Sequence, residues 1–587
     1  VIALACVVTV FAGDRVPGEN WQQFADPGEA GFDVERLEEA RKAWEEIPSS
    51  AFLVVSDGAV VAAWGEVSRR FMCHSVRKSF MSALYGIYWD RGEIELNKTL
   101  ADLGVDDLGD GLLEGEKQAR ILDLLKARSG VFHPAAYAGR TDTQPRGSQG
   151  PGRYFAYNNW DFNTLVTIFE HETGDTVFEA WNEYFAAPLE MEDWRLSDGY
   201  YHYERDKSIH PAYPFRLSAR DAARFGLVFA RNGLWGDDRI LSRDWVARST
   251  AMYSIDTDNI GYGMLWWVLR EPRFKQYGMV AALGVGNQMI AVLPDIDLVI
   301  VNRANTYEGQ RTPMPGLLDV IELVLEARAG GAVAGPQLAP LTVPEPDPRL
   351  KPVAEARLAR FAGEWPYPPA PLGLPKLTTV TVSVDNGSLL AYSDRRGTFR
   401  EYLQDDGSFI EEDSLERYLP IASDDGSFAG IADADVIARA AVVAAVGDDL
   451  PRAESTLSLI RGETGIRVEI ARAAVDILGG RPKAGESALR ELASTSDPRR
   501  VEGAVNWVGY SLLEADRTKR ALRFFKLNTE LFPEAFNTWD SLGEAYRELG
   551  KDQKAIASFQ KSLELNPDNS NAKEMISKIG EKGGSDK

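Results

Sequence analysis

Ser75-Val76-Arg77-Lys78 sets an alcohol and an amine three positions apart. A serine hydroxyl near neutral pH is a poor nucleophile until a base lies within hydrogen-bond reach. On a helix, residues three apart share a face, and a lysine whose pKa is depressed by burial can take the serine proton. Ser75 at a helix N-terminus would also meet the positive end of the macrodipole. The spacing alone does not select this chemistry, because Ser558-Phe559-Gln560-Lys561 repeats it in a helical region where a solvated face is expected. Tyr157-Asn158-Asn159 adds a phenol that, with a lowered pKa, relays a proton to a leaving group, and an amide able to hold a carbonyl. The competing roles are aromatic packing and a helix cap. In Ala282-Leu283-Gly284-Val285-Gly286-Asn287-Gln288, glycines permit close approach of a substrate. A backbone N–H there would complete an oxyanion hole with that of Ser75. His133, in Val131-Phe132-His133-Pro134, is a candidate for touching substrate from a lid loop, with loop capping as the alternative. Trp160 reads as core more than as a substrate platform, and Cys73 as a buried small side chain.

The elements that must position these groups follow from periodicity. Ser75 to Asp90 reads as a helix with Phe80, Leu84, Ile87 and Tyr88 on one face, ended by Gly92. An apolar helix with Phe162, Leu165, Val166 and Phe169 follows Tyr157. Ala51 to Val67 alternates around an Asp57-Gly58 turn, a hairpin signal. Met289–Leu293 and Asp297–Asn302 read as strands joined by Pro294-Asp295. Strands at both ends with helices between them predict one sheet built from both termini of the unit.

Ser-x-x-Lys, then Tyr-x-Asn, then a glycine-bearing strand motif is the order of the serine β-lactamase and penicillin-binding-protein superfamily, which residues 20–327 resemble. The surrounding sequence looks like the branch of class C β-lactamases, family VIII esterases and 6-aminohexanoate-dimer hydrolases. Further matches are Ala127-Arg128-Ser129-Gly130-Val131, Tyr157 through Asn163, Leu217-Ser218-Ala219-Arg220-Asp221 with Phe225-Gly226, and Gly286-Asn287-Gln288 before Pro294. The resemblance implies an α/β (α+β) serine hydrolase fold. It makes Ser75 the acylated nucleophile, Lys78 its base and Tyr157 the proton relay. Asn159 would line the pocket, and the backbone of Ser75 and Val285, with Gly284 and Gly286 beside it, would form the oxyanion hole. It implies a two-step acyl transfer on a small-molecule ester, amide or peptide-like substrate, with no cofactor and no metal. There is one departure. The family's Lys-Thr-Gly third motif is replaced by the uncharged Ala282-Leu283-Gly284, which favours a neutral ester or amide over an anionic β-lactam or a peptidoglycan stem. The alternatives are a β-lactamase or D-alanyl carboxypeptidase of the same fold, and a degenerate binding protein that acts through its repeats.

The 587 residues exceed one core and predict a multidomain chain. Residues 328–352 are an Ala/Gly/Pro linker by composition. Residues 353–432, with turns at Asn386-Gly387, Asp405-Asp406-Gly407 and Asp424-Asp425-Gly426, read as a small antiparallel β domain that resembles a lipocalin-like module. Residues 433–571 are helical, and 572–587 form a polar tail. Gly509 and Gly543, Ala521 and Ala555, Phe525 and Phe559, and Pro533 and Pro567 recur at one period of 34 residues. That pattern resembles tetratricopeptide repeats, clearest over 503–570, which bind peptide or protein partners or pack on neighbouring helices. A net charge of −23 argues against nucleic acid and anionic membrane as partners. Cys6 and Cys73 cannot build a disulfide framework, and the five histidines show no zinc spacing. Residues 1–19 open with the apolar run Val1–Ala12, which reads as the h-region of a secretory signal. Periplasmic or extracellular export is therefore expected, with anchoring and a cytoplasmic location as alternatives.

Overall fold

The Asp57-Gly58 turn joins two apolar strands, Ala51–Ser56 and Ala59–Gly65, paired antiparallel. Both are buried on two faces, which accounts for their near-continuous hydrophobic text. They are the third and fourth strands from one edge of a ten-stranded sheet among the residues described, 15–138 and 144–585, in this computed structural model. The apolar run Val1–Ala12 lies outside the described residues. From one edge the strands are Leu338–Pro340, Gln22–Phe24, Ala59–Gly65, Ala51–Ser56, Leu298–Arg303, Gln288–Leu293, Val280–Gly284, Trp267–Leu269, Ile260–Tyr262 and Ser254–Thr257. The sheet is thus made from both ends of the unit, and Leu298–Arg303 pairs antiparallel with Ala51–Ser56 (Ile300 opposite Val54).

Side chains alternate across this sheet. Phe52, Val54, Leu298 and Ile300 enter the core formed with helices Val34–Glu45 and Met314–Ala327. Leu53, Val55, Val299 and Val301 enter the larger core that holds helix Arg77–Asp90. That helix is buried from Arg77 through Tyr88, not only along the Phe80–Leu84 stripe. Ser79 and Ser82 tie it down by donating to the carbonyls of Leu265 and Met264, each at 2.8 Å.

Two expected boundaries change. Leu338–Pro340, inside the stretch read as linker (328–352), is an edge strand paired with Gln22–Phe24, where it satisfies backbone groups the edge would otherwise expose. Residues 15–19, assigned to the signal-like segment, include Arg15, whose carbonyl accepts from Arg231 at 2.6 Å and whose guanidinium donates to the Asp57 carbonyl at 3.0 Å.

The chain forms two compact units. One comprises the described residues to Leu350 together with Leu390–Arg400 and Glu412–Leu415. The other comprises Lys351–Leu389, Glu401–Glu411 and Glu416 onward. The β region is an antiparallel sheet of seven strands among the described residues, running in sequence order from Gly363–Tyr367 to Phe428–Asp433, whose first and last strands lie against each other. Helical hairpins follow from Ala434. The period of 34 has a packing cause. A Cβ on Gly509 would come within 2.5 Å of the Phe525 ring, and one on Gly543 within 2.7 Å of Phe559. Residues 572–587, read as a polar tail, are helical through Ser585, because Ala572 and Ile579 give the segment a buried stripe against the preceding repeat.

Candidate active site

Strand Phe71–Met72 gives way to a single 3-10 turn, His74–Val76, that runs straight into helix Arg77–Asp90. His74 takes a left-handed φ of +49°, a conformation that side-chain-bearing residues seldom adopt. Ser75 stays partly exposed, while Cys73, Val76, Arg77 and Lys78 are buried.

Lys78 Nζ lies 2.7 Å from Ser75 Oγ. Its surroundings are aromatic, with the ring centres of Tyr157 and Phe162 at 4.9 and 4.7 Å. Burial pushes the Lys78 pKa well below the usual lysine value, and the neighbouring Arg77 guanidinium lowers it further. An amine made neutral in this way is a base for the hydroxyl it touches. The other Ser-x-x-Lys shows the opposite arrangement. Lys561 is exposed and paired with Glu564 at 2.9 Å, which raises its pKa, and Ser558 donates to its own helix at Lys554.

Tyr157 lies beside Ser75, and its ring lies among Phe162, Tyr262 and Trp267 at 4.8 to 5.9 Å. This cage corrects the expectation of a phenol with a lowered pKa. Burial raises Tyr157 to about 12, and Ser75 and Arg77 offset this only in part. Near neutral pH the Tyr157 phenol therefore keeps its proton.

Asn158 caps the helix Asn159–Thr173, its side chain accepting from Asp161 N at 2.9 Å. Asn159, expected to line the pocket, donates to the Tyr137 carbonyl at 2.6 Å and so braces that loop. Trp160 is core and donates to Asp107 at 2.7 Å. His133 is held by the Pro134 carbonyl at Nδ1 (2.9 Å) and the Leu108 carbonyl at Nε2 (3.3 Å), which occupies both ring nitrogens. Asp161 is fully buried, and burial raises its pKa to about 8; its Oδ1 takes the Ser129 hydroxyl at 2.5 Å, fixing the Ser129-Gly130 loop beside the site.

The strand Val280–Gly284 brings backbone close to the serine. A Cβ on Gly284 would lie 2.5 Å from the Cys73 carbonyl and 3.1 Å from Ser75 N. Val285 follows with an exposed side chain, and Gly286 makes the turn with φ +81°. Cys73 is fully buried and its thiol is pushed up by burial, the reverse of an activated nucleophile.

Two participants were not evident from sequence. Arg77 is buried, donates to the His74 carbonyl at 2.7 Å and faces the rings of Tyr137 and Tyr213. Its Nε and Nη2 have no partner among the described residues. His74 bridges Thr306 Oγ1 (2.8 Å) and the Tyr137 hydroxyl (3.2 Å), and burial with nearby cations brings its pKa down to about 3. The only available signal was their adjacency to Ser75 and Lys78.

Solved structures to which the chain is similar include a penicillin-binding protein from Bacillus halodurans (16% identity, 49% of this chain and 99% of that one, TM-score 0.38). Others are an octameric penicillin-binding protein homologue from Pyrococcus abyssi (14%, 67% and 97%, TM-score 0.38) and a beta-lactamase from Mycobacterium bovis (17%, 49% and 97%, TM-score 0.36). The beta-lactamase family model matches residues 34–317, and the tetratricopeptide repeat model matches residues 536–569. The unit that carries Ser75, Lys78 and Tyr157 is a beta-lactamase-family domain, and the same chain bears a tetratricopeptide repeat.

Proposed function

We propose that the chain cleaves a neutral ester or amide through an acyl-enzyme on Ser75. The observation that carries this reading is the 2.7 Å pair of Ser75 Oγ and a buried Lys78 whose pKa is depressed. Lys78 takes the hydroxyl proton as Ser75 Oγ bonds to the carbonyl carbon. The oxyanion is held by the backbone N–H groups of Ser75 and Val285. Tyr157, kept protonated, gives its proton to the departing oxygen or nitrogen and recovers one from Lys78. Water then repeats the sequence on the acyl-enzyme. The uncharged Ala282-Leu283-Gly284 supports a neutral substrate.

Intact mass after treatment with a fluorophosphonate tests the nucleophile. One adduct is expected on the wild-type chain and none on Ser75→Ala. An adduct that persists in the variant, or none in either, defeats the reading. A nitrophenyl ester run against a chromogenic cephalosporin then separates esterase or amidase from β-lactamase, with the ester expected to turn over faster.

A further inference from the structure

The helical unit contains a cavity of about 460 Å3 outside the segment matched by the repeat model. It opens on helices Ala434–Val446, Ile466–Leu478 and Pro498–Glu514, whose successive members pack side by side. Val442, Ile470 and Trp507 give it an apolar floor. Arg439, Arg467, Arg499 and Arg500 surround that floor, with Asp435 the one carboxylate among the lining residues. Asp435 pairs with Arg467 at 3.5 Å and is felt by Arg500 at longer range. Arg439 lies 5.9 Å from the Trp507 ring centre. Among the described residues no ion pair forms at Arg439, Arg499 or Arg500.

This concentration of positive charge occurs on a chain whose net charge is −23. Local helix stability does not account for it. Arg467, Arg499 and Arg500 lie in the first turns of their helices, where the macrodipole disfavours cations. Arg499 also borders a second hollow formed with Phe532, Pro533 and the exposed Phe536. Cationic planes thus alternate with aromatic surface over two adjoining hollows.

We propose that this surface binds an acidic peptide segment of a partner protein. Carboxylates of the segment engage the arginines, and apolar side chains between them settle on Trp507 and beside Phe536. Guanidinium groups suit carboxylates by bidentate pairing, and the aliphatic floor suits a leucine or phenylalanine side chain. A nucleic acid would ask for a longer basic track than these two hollows provide.

Fluorescence anisotropy on the full chain tests this with labelled peptides in which glutamates flank leucine or phenylalanine. Saturable binding that weakens with salt is expected. The exposed pair Arg499→Glu/Arg500→Glu should weaken it by about tenfold or more, with an unchanged circular dichroism spectrum, and Arg439→Glu should act in the same direction. The proposal is overturned by no binding at millimolar peptide, by equal binding of peptides with lysine in place of glutamate, or by affinity indifferent to both charge reversals. A labelled oligothymidylate that binds as tightly as the acidic peptides also overturns it.

Discussion

Lys78 must be neutral to accept a proton, and its pKa lies well below the ordinary lysine value through burial first and Arg77 second. Hydrolysis should therefore fall as pH drops through that depressed pKa and hold steady above it. Tyr157, at about 12, should add no break between neutral and mildly alkaline pH. Lys78→Met should lower kcat/KM by roughly 10²–10⁴-fold while leaving Ser75 in place, read with a nitrophenyl ester. Arg77→Met removes the cation that disfavours protonated Lys78, so the acid limb should move to higher pH, and Arg77→Lys should restore it. A limb that stays in place would show that burial alone sets Lys78. At this scale the contact of Ser75 with Lys78 was legible, because a spacing of three on a helix brings the two side chains together. The protonation state of Tyr157 was not, since it depends on Tyr262 and Trp267, more than a hundred positions away. The roles of Asn159 and His133 depend likewise on loop partners, Tyr137 and Leu108, that no local pattern names.

Among the elements, the strand Val280–Gly284 matters because it brings backbone to the serine. Gly284→Ala places a methyl group 2.5 Å from the Cys73 carbonyl, so the strand or the serine turn must yield. Overpacking of this kind costs about 1–3 kcal/mol, and a misplaced oxyanion donor about 10²-fold in kcat. The expected result is a loss of turnover larger than the fall in melting temperature accounts for. Gly331→Ala, with nothing within 4 Å of the added carbon, serves as the silent control. Helices and hairpins were readable where the pattern is local, as at Asp57-Gly58 and in the 34-residue spacing that Gly509 and Phe525 enforce by contact. The edge strand Leu338–Pro340 was not. It is held by pairing with Gln22–Phe24, over three hundred residues earlier, and its own text is that of a linker.

For the whole molecule, the beta-lactamase-like unit is not one continuous stretch of chain. Arg70, 7% exposed, is neutralised by Glu412 at 2.7 Å and Asp413 at 2.8 Å, and Arg195 shares Glu412 at 2.7 Å. A chain ending at Leu350 keeps every candidate catalytic residue but strips these carboxylates from a buried guanidinium, a change worth about 3–5 kcal/mol. Its hydrolase unit should unfold at lower denaturant than in the full chain, with fluorophosphonate labelling of Ser75 as the readout. Equal midpoints would show that the remaining partner Asp198 suffices.

That dispersal also sets an order in time. During synthesis at ~5–20 residues per second, the ribosome releases all of the candidate catalytic residues several seconds before it releases Glu412 and Asp413. Throughout that interval Arg70 of the nascent unit has Asp198 as its one charge partner, and the other two arrive only with residues 412–415.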